Sequence, residues 1–396
     1  MKTTIGVFFG GRSTEHEISV LSACQAMAAV DKDRYEIVPV YISKQGHWYT
    51  GQNLAVAENY RDIDRLIKDA TEVYMRPVYG DYKLYPVRPK GLFGGSKPVA
   101  ELDVVLPVLH GSNGEDGNFQ GVLNTIGIPF AGCDTLASAN GMDKITMKMI
   151  LAAEGIPVVD YVWFTDKQWS ADGDALAAKI EERIGYPVIV KPANLGSSVG
   201  IGCAADRNQL RERVADASRY SSRIIVEKMV KNLQEINCSV LGDCDNYETS
   251  VLEEPVKSGE ILSYMDKYLG GEKTERGMQA ARKRIPADLP PQETERIRFL
   301  AGETFRVLGC NGVSRVDVMV DGDTREIFVN EINTIPGSLS FYLWEAAGVP
   351  FGELVDRLVK FAFKRKREAD GKTVSYSSNI FALGGGIKGA KGSKLK

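Results

Sequence analysis

Residues 314–337 read SRVDVMVDGDTREIFVNEINTIPG. Two strand-like runs flank the turn signal Asp-Gly-Asp-Thr at 321–324. Arg315, Asp317 and Met319 alternate with Val316, Val318 and Val320. Ile327, Val329, Glu331 and Asn333 recur with the same period of two. Folding the hairpin about the turn sets Asp317 opposite Glu331 and Arg315 opposite Asn333, all on one face. Two carboxylates facing each other across a ladder repel. A hard cation relieves that repulsion. A carboxylate pair with an amide oxygen suits Mg²⁺ held together with phosphate oxygens. The alternative is a surface hairpin whose charges are merely solvated, and the rest of the chain decides between the two.

The chain has 396 residues, too many for one ordinary core, so two or three domains are expected. Apolar residues make up 43% and charged residues 26%, the proportions of a globular protein. A net charge of -3 gives no strong attraction to nucleic acid or anionic membrane. The sequence opens on a strand, so no signal peptide is expected, and no apolar run is long enough to span a bilayer. A cytoplasmic protein is expected. The six cysteines are scattered without a CxxC and read as reduced, buried thiols. With three histidines, none spaced with a cysteine, a zinc site or a Cys/His nucleophile is not expected.

Along the chain, strand–helix–strand signals at 4–9, 15–30 and 35–42 open an α/β domain spanning 1–133. It carries an insertion at about 45–100, with a helix near 63–69 and short strands. The run LDVVLPVL at 102–109 is almost continuously apolar, as in a parallel strand buried on both faces. Glycine-rich loops follow the strands at 4–9 and 102–109, where ligands bind in such sheets. A smaller central unit is read over 134–222, with helices at 144–154 and 207–217 and short strands between them. A third unit, 223–370, holds strands at 224–227, 237–241 and 247–256, a helix at 292–308, the opening hairpin and a last helix at 351–367. The Gly/Lys-rich tail, 371–396, lacks apolar periodicity and is expected to be mobile at its end.

Two further constellations carry chemistry. In VIVKPANLGSSVGI, 188–201, a strand delivers Lys191 to a loop with Gly196, Ser197, Ser198 and Gly200. Such a loop lets backbone N–H groups approach phosphate oxygens while the lysine supplies charge. It is not a Walker A loop, since G-x-x-x-x-G-K-[ST] is absent and a strand follows. Glu227 and Lys228 end a strand. They are either a solvated edge or the lining of a purine slot, with Glu235 placed to accept from a ribose hydroxyl.

Taken in order, these motifs resemble those of the ATP-grasp superfamily, and within it the D-alanine–D-alanine ligases. The resemblance runs from Gly10 to about Lys364 through GGRSTEHEIS (10–19), LHGSNGEDG (109–117), MDK (142–144), the Lys191–Gly200 loop, Glu227-Lys228, Lys267-Tyr268 and the hairpin. It implies an α/β, three-domain ATP-grasp ligase. The N-terminal domain would be parallel α/β, the central one small α+β, and the C-terminal one α+β with an antiparallel sheet. The implied activity is ATP-dependent joining of two D-alanines through an acyl phosphate, for peptidoglycan precursor synthesis.

The resemblance further implies that Asp317, Glu331 and Asn333 hold two Mg²⁺ ions, with Mn²⁺ as an alternative. Lys144, Lys191 and Ser198 match phosphate contacts. Glu227, Lys228, Val230 and Glu235 match adenine and ribose contacts, Met319 an apolar cover for adenine, and Lys267 with Tyr268 a closing loop. Glu15 matches the group that binds the first D-alanine's ammonium, connected to Ser197 and Tyr268. Arg315 and the backbone near Gly337 match the oxyanion contacts. Thr14 with Glu17 is expected to form a capping box at the helix start. Tyr268 stands where ester-forming relatives carry histidine, so an amine acceptor is implied. A homodimer acting on small molecules, with neither nucleic acid nor membrane as partner, completes the expectation.

At the second subsite the sequence departs from the family. Ungapped alignment puts Tyr342 where a serine usually binds the acceptor's carboxylate. Ser338 or Ser340 could take over, and D-serine or another acceptor stays open beside D-alanine. Two rival readings stand against this. A dinucleotide-binding fold lacks the G-x-G-x-x-G spacing and the ribose-binding acid after the second strand. A non-catalytic ATP-grasp binding protein is disfavoured by the intact set Lys144, Lys191, Arg315, Asp317, Glu331 and Asn333.

Overall fold

The computed structural model describes residues 2–88, 97–196, 199–255 and 283–374. Ser197, Ser198, Lys267, Tyr268 and the tail from 375 onward lie outside the described residues.

Three sheets organise the chain. The first runs in the order β6-β5-β4-β3-β2-β1-β7. Its strands are β1 (Thr3–Gly10), β2 (Tyr35–Ile42), β3 (Trp48–Thr50), β4 (Thr71–Met75), β5 (Lys83–Pro86), β6 (Ala100–Glu101) and β7 (Val104–Val108). β1 pairs in parallel with both β2 and β7. Alternate residues of β1 therefore enter two different cores. Ile5, Val7 and Phe9 pack toward α1 (His16–Ala29), while Phe8 joins Phe119 and Leu123 of α3 (Asn118–Ile126). This double burial is why β7 reads as an unbroken apolar run. The insertion contributes α2 (Ile63–Asp69) and extends the sheet through β3 to β6, all antiparallel.

The second sheet has the order β10-β9-β11-β8, from β8 (Tyr161–Thr165), β9 (Val188–Pro192), β10 (Gly202–Ala204) and β11 (Arg223–Lys228). It is preceded by α4 (Thr135–Met142) and α5 (Lys144–Ala153), and covered by α6 (Asp166–Arg183) and α7 (Arg207–Ala217). The boundary expected at 222/223 needs correcting. β11 pairs with both β8 and β9, so it belongs to the central sheet and not to the C-terminal unit.

The third sheet has the order β14-β13-β12-β15-β16. It comprises β12 (Gln234–Gly242), β13 (Tyr247–Pro255), β14 (Lys283–Arg284), β15 (Gly312–Val320) and β16 (Ile327–Asn333), backed by α8 (Pro291–Val307). After α9 (Phe341–Ala346) comes α10 (Phe351–Asp370), an amphipathic helix. It returns Leu354, Val355 and Leu358 to the core under β1, binding the first and last units to each other.

The hairpin has the expected register at its base: Arg315 opposite Asn333 and Asp317 opposite Glu331. Its alternation is not strict throughout. A bulge between Asp317 and Val318 leaves Asn330 unpaired, so Val318 faces Val329 and Met319 faces Phe328. Val329 therefore joins Ile332 in the core instead of sharing a face with Glu331. The expected capping box is also absent. Glu15 is the N-cap of α1 without a side-chain cap bond, and Glu17 pairs with Lys44 instead. The Glu15 N–H donates to Ser13 Oγ at 3.0 Å, so the serine caps the chain locally.

Candidate active site

The polar face of the third sheet is built by register. Asn237 of β12 pairs with Glu253 of β13 on one side and with Asp317 of β15 on the other, and Asp317 pairs with Glu331 of β16. One row across four strands thus reads Glu253, Asn237, Asp317, Glu331. Each acid in it has a partner. Asp317 takes Arg315 through two hydrogen bonds, Nε–Oδ1 at 2.6 Å and Nη2–Oδ2 at 2.7 Å. Asn333 Nδ2 donates to Asp317 Oδ2 at 3.2 Å. Glu331 Oε2 lies 3.0 Å from Lys144 Nζ, which also donates to the Leu195 carbonyl at 3.0 Å. Burial opposes the charge on Arg315 and on Lys144. The charge of Asp317 and of Glu331 respectively outweighs it, and both cations are held above their ordinary range.

Among the described residues, no three His, Cys, Asp or Glu side chains are grouped to hold a metal ion. The hairpin instead offers two carboxylates and an amide oxygen. All are hard oxygen donors, and Arg315 and Lys144 balance the two carboxylates. That donor chemistry fits Mg²⁺ shared with phosphate oxygens, which would supply the remaining ligands.

Lys191, at the end of β9, donates to Glu227 Oε2 at 2.6 Å and to Asn330 Oδ1 at 3.1 Å. The bulge is what presents Asn330, a residue the alternation reading placed nowhere. Glu227 is 2% exposed. Burial would raise its pKa, but Lys148 and Lys191 bring it down to about 2. Its carboxylate is thus engaged by lysines. The exposed Lys228 donates its own N–H to the Asp160 carbonyl at 2.9 Å. Val230 and Met319 pack with Val159, Leu233 and Phe328 into one small apolar cluster. Glu235 stands opposite Met319 across the ladder.

Glu15 reaches the same region from the first domain and is 4% exposed. Its carboxylate has backbone walls on both sides. A Cβ at Gly111 would stand 3.1 Å from Glu15 Oε2, and one at Gly196 would stand 3.1 Å from Oε1. Gly111 also has a φ of +71°, so only glycine fits there without strain. One cavity is lined by Glu15, Glu115, Lys144, Gly196, Glu331 and Asn333. The first domain, the central loop and the hairpin therefore converge on it.

Sequence reasoning left several supporting residues unassigned. Glu115 receives the Gly111 N–H at 2.6 Å and the Ile335 N–H at 3.2 Å. Burial and the nearby Glu15 push its pKa up to about 8. His110 Nδ1 faces the Ile335 carbonyl at 2.9 Å, which assigns the proton to Nδ1. Nε2 then accepts from Ser22 Oγ at 2.9 Å. Burial, aided by Arg315 and opposed by the Ile335 bond, lowers the ring to about 4, so it is neutral. Ser22 Oγ in turn accepts the Ser338 N–H at 2.9 Å. This chain ties α1 to the turn that starts at Gly337. There Ser338, Leu339 and Ser340 all hold left-handed φ near +50°, strain of the sort seen where backbone is held for function. Tyr342 donates its hydroxyl to Glu253 Oε2 at 2.9 Å, and Asn237 Nδ2 donates to the same oxygen at 3.0 Å. Both HGSNGEDG and the run after Gly337 were visible as motifs. Their side-chain partners, far apart in sequence, were not.

Comparison with known proteins agrees with this geometry. The family descriptions "D-ala D-ala ligase N-terminus" and "D-ala D-ala ligase C-terminus" match residues 4–133 and 150–360. The chain is 39% identical over 383 residues to a D-alanine–D-alanine ligase of Caldicellulosiruptor bescii, covering 95% of this chain and 99% of that one. It is 40% identical over 376 residues to that of Heliobacterium modesticaldum, covering 93% and 96%. Among solved structures, the D-alanine–D-alanine ligase of Coxiella burnetii superposes with a TM-score of 0.77 at 29% identity, covering 93% and 96%. The VanG D-Ala:D-Ser ligase of Enterococcus faecalis superposes at 0.78 and 30% identity, covering 91% and 100%. A chain matched over both halves and nearly end to end by such relatives is a member of the D-alanine–D-alanine ligase family.

Proposed function

We propose that this chain joins two D-alanines to D-alanyl-D-alanine at the expense of ATP, through an acyl phosphate. The observation that carries the reading is the single cavity where Glu15 from the first domain meets Lys144, Glu331 and Asn333. An ammonium-binding acid and a phosphate- and metal-binding set must face each other if a D-amino acid's carboxylate is to attack a γ-phosphate.

Glu15 takes the ammonium of the first D-alanine, its carboxylate at a helix N-terminus and walled by Gly111 and Gly196. Lys144 and Lys191 hold the nucleotide phosphates, with Ser198 in the same loop. Asp317, Glu331 and Asn333 would hold Mg²⁺, or Mn²⁺, which when bound would offset the charge on the phosphates. Val230 and Met319 cover the adenine, with Lys228, Glu235 and Lys267 around the base and ribose. Arg315, freed from full engagement with Asp317, faces the developing oxyanion together with the Gly337 N–H. The His110–Ser22–Ser338 chain fixes that segment so the donor need not reorganise. Ser197 and Tyr268 orient the first substrate with Glu15, and closure over the site excludes water that would hydrolyse the acyl phosphate. No helix among the described residues is long and apolar enough to cross a membrane. A cytoplasmic homodimer is the assembly we assign to it.

The test is ATP-dependent phosphate release with D-alanine, products identified by mass, with D-serine offered in parallel. D-alanyl-D-alanine is the expected product. If D-alanine alone gives no dipeptide while another acceptor does, the reading of the second subsite fails and the ligase mechanism survives. Light scattering that returned a monomer would remove the dimer.

A further inference from the structure

A third lysine stands beside the two phosphate lysines, and the reaction as described does not use it. α5 carries Lys144 and Lys148 four residues apart on one face. Lys148 is fully buried, and its Nζ lies 3.3 Å from Glu227 Oε1. That approach lacks hydrogen-bond geometry, and the Nζ has no hydrogen-bond partner among the described residues. The other Glu227 oxygen holds Lys191 at 2.6 Å. Burial lowers the Lys148 pKa, Glu227 opposes this, and Lys191 and Lys144 reinforce it. Three ammonium groups thus surround two carboxylates, Glu227 and Glu331.

A carboxylate as buried as Glu227 is strongly disfavoured without a counter-ion. If Lys191 is to leave it for a phosphate oxygen, another cation has to remain. We propose that Lys148 is the standing counter-ion of Glu227, allowing Lys191 to turn to the nucleotide phosphates without stranding a buried charge. Lys148 is then a positioning residue that touches neither substrate. The second acceptor of Lys191, Asn330 Oδ1, is neutral and readily exchanged for an anion. The proposal rests on the reading of Lys191 as a phosphate ligand.

Binding of Mg²⁺-ADP to the full chain, followed by calorimetry, tests it with four proteins: wild type, Lys148→Met, Glu227→Gln and the double variant. Lys148→Met is expected to raise the nucleotide Kd by about tenfold or more while the KM for D-alanine moves less than about twofold. In the Glu227→Gln background the same change is expected to shift Kd by less than about threefold, because a neutral amide needs no counter-ion. A similar loss in both backgrounds overturns the proposal, since Lys148 would then act on the nucleotide or on the fold directly. An unchanged Kd in Lys148→Met overturns it as well. Should Lys148→Met not fold, the pair carrying Glu227→Gln still decides, and a loss of about tenfold there refutes it. Lys191→Met separates the two levels: if it leaves nucleotide binding intact, the phosphate reading of Lys191 fails, and this proposal with it.

Discussion

Replacing Glu227 with glutamine gives a stability difference whose size and pH dependence both follow from the structure. Glu227 is fully buried and paired with Lys191 and Lys148. Burial alone would raise its pKa, yet the two lysines bring it from an ordinary 4.5 to about 2. The folded pKa is thus below the unfolded one. The stabilisation it represents is present above about pH 4.5 and is lost as the pH falls through the folded value. The interval corresponds to roughly 3 kcal/mol at neutral pH, of which roughly 2 kcal/mol is gone by about pH 3. Glu227→Gln lacks the titrating group and leaves two buried ammonium groups without their acid. It should be less stable than wild type by roughly 3 kcal/mol near neutrality, and the two proteins should converge as the pH drops. Urea unfolding midpoints at a series of pH values, read by tryptophan fluorescence, measure this directly. A difference that stays constant from about pH 7 to about pH 3 would refute the claim that Glu227 is the ionised centre of this cluster.

Three other outcomes are expected. Glu331→Gln should abolish ATP-dependent phosphate release and also lower stability by about 2 kcal/mol, because the buried Lys144 loses the carboxylate 3.0 Å from its Nζ; calorimetric melting and a phosphate assay read the two effects. Tyr342→Phe should cost about 1 kcal/mol by withdrawing a donor from Glu253. It should also raise the KM for the acceptor while leaving that for ATP unchanged, and initial-rate kinetics with both substrates varied will show whether the two separate. With D-lactate offered beside D-alanine at neutral pH, peptide should dominate over ester, because position 268 is tyrosine; a mainly ester product in the mass spectrum would contradict that.

What was legible in the sequence was whatever depended on local period. Alternation in 314–333 placed Arg315, Asp317, Glu331 and Asn333 on one face, and the register bears this out at the base of the hairpin. The same alternation failed two residues on, because a bulge is an extra residue with no compositional mark. That bulge moved Val329 into the core and brought Asn330 to Lys191. The capping box was misread for a related reason. Thr14 and Glu17 have the right spacing, but Ser13 holds the Glu15 N–H and Lys44, just beyond β2, takes Glu17. The helix α6 escaped notice because its polar sequence is broken at Asp172, whose backbone leaves helical geometry, so no long 3.6-residue period forms.

Long-range pairing was the other limit, and it bears on the second subsite. Alignment assigned Tyr342 to a substrate-binding position on spacing alone. In the fold its hydroxyl is given to Glu253, eighty-nine positions earlier in the chain. Glu253 belongs to the same row as Asn237, Asp317 and Glu331, so the tyrosine closes the far end of the polar face that carries Asp317 and Glu331. Its phenol is held above its ordinary range by burial first and by Glu253 next, with Arg315 opposing, so it stays a neutral donor. A serine could not span that gap, since its hydroxyl sits one carbon from the backbone. The substitution therefore exchanges a short hydrogen-bonding group for a long one already committed to an acid.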